Sequence, residues 1–100
     1  MADWELSEEA IQDIREIAIF TGESWGVDQS DAYLASLYAA IYRIAEYPAL
    51  GASREDLAPG LRMMPARQHR LYYEAAGERV VLVRILHGAQ DEAQEFAPYP

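Results

Sequence analysis

One hundred residues with 51% apolar and 11% aromatic side chains carry enough apolar area to offset the entropy of ordering a chain, so a disordered segment is excluded and one core is expected rather than two. With no cysteine, no lysine, eight arginines and seventeen acids for a net charge of -9, disulfides, thiolate metal sites and a cation track along nucleic-acid phosphates are all removed from consideration. The acidic start Met1-Ala2-Asp3-Trp4-Glu5 is unlike a signal peptide and no apolar run approaches the ~20 residues of a membrane span, which makes the cytoplasm the expected location and a membrane role unexpected.

Met1 to Leu6, apolar at Trp4 and Leu6, reads as a short edge strand ahead of Ser7, whose hydroxyl suits the cap of a helix with Glu8 and Glu9 in its first turn. Ala10, Ile11, Ile14, Ile17, Ala18 and Thr21 then recur at helical spacing, with Gln12, Asp13, Arg15 and Glu16 assigned to the solvated side and an end near Trp25-Gly26. Asp28 is the expected cap of a second helix whose stripe of Leu34, Leu37, Tyr38, Ile41, Ile44 and Ala45 stops before Pro48. Together with Tyr33, Ala40, Tyr42 and Tyr47 that stripe spans roughly 220° of the helix at about 100° per residue, more than packing on one sheet face requires. Part of the excess fits a docking surface; the alternative is tyrosines half-buried at the boundary with their hydroxyls in water.

Pro48 to Gly60 reads as a connection with one helical turn at Ser53 to Leu57. Three strands are predicted at Leu61 to Ala66, His69 to Ala75 and Arg79 to His87, the last two joined at Ala76-Gly77-Glu78, and a final helical turn at Glu92 to Phe96. Val80 to Leu86 is apolar but for Arg84, as befits a central strand. The order gives an α+β fold in which an N-terminal helical hairpin packs on one face of a small antiparallel sheet.

The charges are placed unevenly. Residues 1–50 hold ten acids and two arginines, whereas Leu61 to Tyr73 holds Arg62, Arg67, Arg70 and His69 and no acid. An acidic body with one arginine patch suits a local protein contact. His69 and His87 fall at strand ends where they could meet, and two imidazoles with Arg62 or Arg84 would follow the proton-transfer logic of a ribonuclease. The competing structural reading ties Asp91 to His87 or Arg84, and Arg62 to Glu74 or Glu78. Of the neighbours Met63 and Met64, one faces the core and the other is free to serve as an adaptable contact. Two histidines without a clustered carboxylate set support no metal site, and no cofactor or nucleotide fingerprint is present.

The run Gly60-Leu61-Arg62-Met63-Met64-Pro65, then His69, Tyr72 and Tyr73, then Val83-Arg84-Ile85-Leu86-His87-Gly88 with Asp91, resembles the second half of ParE-type toxins. Leu6-Ser7, Ala10, Asp13-Ile14, Ile17, Trp25-Gly26, Gln29, Tyr33, Leu37, Ala45, Pro48, Leu50-Gly51 and Leu57 extend the resemblance to roughly positions 4 to 91. It implies a ParE/RelE-like fold and a non-enzymatic toxin of a type II toxin-antitoxin module. Such a toxin inhibits DNA gyrase, is neutralised by a ParD-like antitoxin and meets operator DNA only through that antitoxin. On this reading Arg62, Arg67, Arg70, Arg84 and His87 are candidates for the target-facing surface, and Trp25, Tyr33, Ala40 and Tyr47 for the antitoxin-facing one. The alternatives are a RelE-type mRNA interferase, disfavoured by the missing lysines and the acidity, and a decayed toxin that only binds antitoxin. Ala52-Ser53, Met63 and Gln90 depart from the family pattern by removing charge or polarity.

Overall fold

In the computed structural model, which describes residues 2–97, strand β1 (Asp3–Leu6) leads into helices α1 (Glu8–Trp25) and α2 (Val27–Glu46). The chain continues through β2 (Ala52–Ser53), β3 (Leu61–Ala66), β4 (His69–Ala76) and β5 (Arg79–His87) to a one-turn helix α3 (Glu92–Glu95). The sheet order is β1-β5-β4-β3-β2. Every neighbouring pair is antiparallel except β1 and β5, which run parallel with Asp3 opposite Arg79 and Leu6 opposite Leu82. The sheet is therefore mixed, not wholly antiparallel.

Ser7 caps α1 as its residue type dictates, its Oγ accepting from Ala10 N at 3.0 Å and donating to Val83 O at 2.7 Å. That carbonyl belongs to a bulge: Tyr72 faces Arg84 while Tyr73 faces Leu82, leaving Val83 as the extra residue. The bulge resets the alternation of β5, so Val80, Leu82 and Ile85 pack toward the helices while Val83 and Leu86 pack on the opposite face. One cap thus couples the start of α1 to the point where the central strand changes face.

The helices are joined by Gly26 alone, at φ 91, a left-handed conformation that side chains rarely tolerate. Gly26, not Asp28, is the N-cap of α2: the reversal is completed in a single residue, which starts the helix at Val27 and leaves Asp28 within its first turn, favourably placed on the helix dipole. Thr21 and Ser30 hydrogen-bond across the hairpin at 2.6 Å. Ala10, Ile17, Leu37, Ala40, Ile41, Ile44, Leu71, Tyr73, Val80, Leu82 and Ile85 form the core between helices and sheet, and Trp4 packs edge-on against Tyr42 at 5.6 Å between ring centroids.

Behind the sheet a smaller cluster of Leu61, Tyr72 and Leu86 is covered by Leu57, Ala58, Met63, Val83 and Phe96. Met64 packs partly against the helix-side core and Met63 partly against this second cluster, so the two side chains lie on opposite faces and each is half-buried. Gly51 is required where it is. Its N–H donates to Tyr73 Oη at 2.8 Å, that hydroxyl donates to Pro48 O at 2.7 Å, and a Cβ on residue 51 would stand 2.7 Å from the same oxygen.

Candidate functional site

An aromatic wall runs from the end of α1 across α2 to the ends of β4 and β5. Phe20 meets Trp25 at 6.5 Å, Trp25 meets Tyr33 at 5.6 Å, Tyr33 meets His69 at 5.5 Å and His69 meets His87 at 5.5 Å, each between ring centroids. It bounds a cleft of 260 Å³ whose other walls include Asp13, Glu16, Ile17, Gln68, Ile85 and Gln90. Two further hollows continue it: one lined by Trp25, Gln29, Ala32, Tyr33 and Arg67, and one between α2 and β3 lined by Ala40, Arg43, Leu50, Met64, Pro65 and Arg67. The first and second share Trp25, Tyr33 and Gln68 and the second and third share Arg67, so the three follow one another as a groove along the hairpin. Ile19, Phe20, Trp25, Val27, Tyr47 and Leu50 present exposed apolar surface on the hairpin and the loop that follows it.

The histidines do meet, as a directly opposed cross-strand pair. His69 is buried, and its Nδ1 lies 2.6 Å from Tyr33 Oη, which also accepts from Gln68 N at 3.1 Å. Tyr33 and His69 thus share one hydrogen bond whose direction follows the imidazole tautomer, while the Tyr33 oxygen is also held by the Gln68 backbone. Burial holds the His69 pKa below the ordinary value, a nearby charge on His87 does the same, and Asp13 opposes them. His87 is exposed, and its Nδ1 accepts from Ala89 N at 3.0 Å. Asp91 pairs with neither His87 nor Arg84: its carboxylate caps α3, accepting from Ala93 N at 3.0 Å.

Asp13 is buried within the apolar stripe of α1, contrary to its expected place on the solvated side. Its carboxylate takes Arg84 Nε at 2.9 Å, Arg84 Nη2 at 3.0 Å and Ile85 N at 2.8 Å, which satisfies the charge and fastens α1 to β5. This pairing, largest of the causes, raises the Arg84 pKa. Arg62 turns to the loop, donating to Gly51 O at 2.7 Å and not to Glu74 or Glu78. Arg70 donates to His87 O and Gln90 O at 2.9 Å each, and to Glu92 at 3.2 Å. Arg67 is exposed at the β3–β4 turn, with a left-handed φ of 57 and its guanidinium 5.6 Å from the centre of the Tyr33 ring.

The sequence-derived residues therefore fall into two groups. Trp25, Tyr33, Ala40 and Arg67 line the groove and His87 lines its deep end, while Tyr47 stands exposed beyond the end of α2. Arg62, Arg70 and Arg84 bind carbonyls and carboxylates of their own chain. Phe20, Glu16, Gln68 and Leu50 belong to the groove but were not singled out by sequence; the exposed apolar character of Phe20 next to Ile19 was the available signal. Among the described residues no arginine lines the histidine cleft, whose acidic side chains are Asp13 and Glu16, so it offers a phosphate no guanidinium. Among the described residues no three His, Asp or Glu side chains gather as a metal-holding set, and no helix is long and apolar enough to cross a membrane.

Comparison with known proteins agrees in sequence and in shape. The family model described as the ParE toxin of the type II toxin-antitoxin system parDE matches residues 4–92. Toxin ParE1 of Mycobacterium tuberculosis is 39% identical over 87 residues, covering 86% of this chain and 89% of that protein. Toxin ParE1 of Caulobacter vibrioides is 36% identical, covering 87% and 90%, and Toxin ParE of Escherichia coli 34% identical, covering 91% and 89%. A solved chain from the chromosomal ParDE system of P. aeruginosa shares the fold at TM-score 0.75 and 16% identity, covering 87% of this chain and 96% of its own. With the match running from the first strand to the start of the last helix, this chain belongs to the ParE toxin family of type II toxin-antitoxin systems.

Proposed function

We propose that this protein arrests growth by inhibiting DNA gyrase as a binding partner, without catalysing a reaction, and that a ParD-like antitoxin relieves the arrest by occupying the groove along the helical hairpin. Family membership over nearly the whole chain carries the first part. The aromatic-walled groove with its exposed apolar rim supports the second, since an amphipathic segment laid into it would cover Trp25, Leu50 and the outer face of α2. Ten acids in residues 1–50 call for arginine or lysine beside the apolar anchors of that segment. Arg67 and His87 are the target contacts best supported, because both are exposed and the Arg67 guanidinium lies at the rim of the groove, beside the Tyr33 ring. Arg62, Arg70 and Arg84 act from behind by fixing the loop at Gly51, α3 and α1.

Purified gyrase, supercoiled plasmid and ATP test the reading. Cleaved plasmid is expected to accumulate with the toxin and to fall back when the antitoxin is added. Undamaged plasmid together with cut mRNA on translating ribosomes would favour the interferase alternative instead, and the acidic lining of the histidine cleft by Asp13 and Glu16 argues against that outcome.

A further inference from the structure

On the sheet face turned away from the hairpin, three donors converge on a single carboxylate. Arg54 Nη2 and Nη1 reach Glu92 Oε1 and Oε2 at 2.7 and 2.9 Å, Arg70 Nη1 reaches Oε2 at 3.2 Å, and the Tyr72 hydroxyl donates to the same oxygen. Each donor is also held by something other than Glu92. Arg54 is clamped by Asp56 at 3.0 and 2.9 Å, Arg70 by the carbonyls of His87 and Gln90, and Tyr72 is fully buried in β4. The acceptor is anchored far less. Glu92 belongs to a four-residue helix with no buried residue of its own, attached beyond this carboxylate by Phe96 against Tyr72, by Gln90 Nε2 donating to Glu95 at 3.0 Å and by a long Arg84–Glu95 pair at 3.6 Å.

We infer that Arg54, Arg70 and Tyr72 form a preorganised carboxylate receptor that the chain fills with its own Glu92, and that lifting α3 opens it to a carboxylate side chain of another polypeptide. The planar two-oxygen fit of the Arg54 fork selects carboxylate geometry. Charge agrees: Arg54 and Arg70 balance Asp56 and Glu92, so withdrawing Glu92 leaves one net positive charge, enough for one carboxylate and too little for a polyanion. Arg54 and Tyr72 hold the Glu92 carboxyl below the usual carboxylate range, while burial and then Glu92 push the Tyr72 phenol up to about 12, so tyrosine remains a donor throughout the physiological range. The receptor requires neither gyrase nor antitoxin, and its test uses neither.

In the full-length Glu92→Ala variant, acetate titrated against the arginine Nε–H and tyrosine ring NMR signals should shift those of Arg54, Arg70 and Tyr72 saturably, with affinity at least about tenfold above the parent chain. The Arg70→Gln, Glu92→Ala double variant should lose the response. In the unaltered chain, high acetate should accelerate amide exchange of Gln94, Glu95 and Phe96 by displacing Glu92, a readout that survives if the variant folds poorly. No saturable response in Glu92→Ala, an equal response in the double variant, unaccelerated exchange in the parent, or inorganic phosphate binding more tightly than acetate would each overturn the assignment.

Discussion

Asp13 shows how one polar residue in an apolar stripe organises a fold. Its carboxylate is almost fully covered, yet three N–H groups from Arg84 and Ile85 replace the water it lost. Asp13→Asn keeps the volume but leaves the Arg84 guanidinium without its counter-charge, so a loss of about 3 to 5 kcal/mol is expected by urea unfolding. Sequence alone could not reveal the role, because the partner is 71 residues away and a helix surface is where aspartate usually belongs. Distance hid the Tyr33–His69 bond and the Arg54–Glu92 fork in the same way, at separations of 36 and 38 residues.

His69 supplies a pH dependence whose sign follows from its burial. The folded chain holds the imidazole neutral below its ordinary pKa of 6.5, so the unfolded chain binds more protons there. The stabilising contribution is complete above pH 6.5 and is lost as the pH falls through the lowered folded value. The urea midpoint is expected to drop between pH 7.5 and 5.5, and His69→Gln should flatten that slope whatever it does to stability at pH 7.5. A steeper slope in the variant would contradict the assignment. The depressed carboxyls of Glu92 and Asp56 act separately, below their ordinary values of 4.5 and 3.8.

At the level of elements, periodicity made most of the fold legible. The limits of β3 and β5 agree with the alternation of their sequences, β4 extends by only Ala76, and the two helices follow their 3.6-residue stripes. What periodicity could not supply was pairing partners: nothing in Asp3–Leu6 announces that its neighbour will be β5, or that the two will run parallel. The tyrosines of α2 divide by partner, with Tyr33 buried by its bond to His69 while Tyr42 and Tyr47 stay exposed. Tyr47→Asp and Leu50→Asp should therefore weaken antitoxin affinity at least about tenfold by calorimetry with stability changed by no more than about 0.5 kcal/mol. Tyr33→Asp should lose the native fold outright, because it strands a charge and an unpaired histidine in the core.

For the whole molecule, the charge of -9 is a statement about encounter rather than fold. If a basic antitoxin segment is drawn to the acidic hairpin, its association rate should fall by roughly tenfold between 50 and 500 mM salt, with a smaller change in dissociation, by stopped-flow fluorescence of Trp25. A salt-independent rate would locate recognition in apolar contact alone.

The first strand finds its place only beside the last, residues 3–6 against 79–82, with both helices and three other strands threaded between. A chain emerging from the ribosome in order keeps this strand without a sheet to join until β5 has been made. Ordering of the toxin thus comes late in synthesis, driven by contacts of high sequence separation. Until then the apolar faces of both helices have no sheet to cover them.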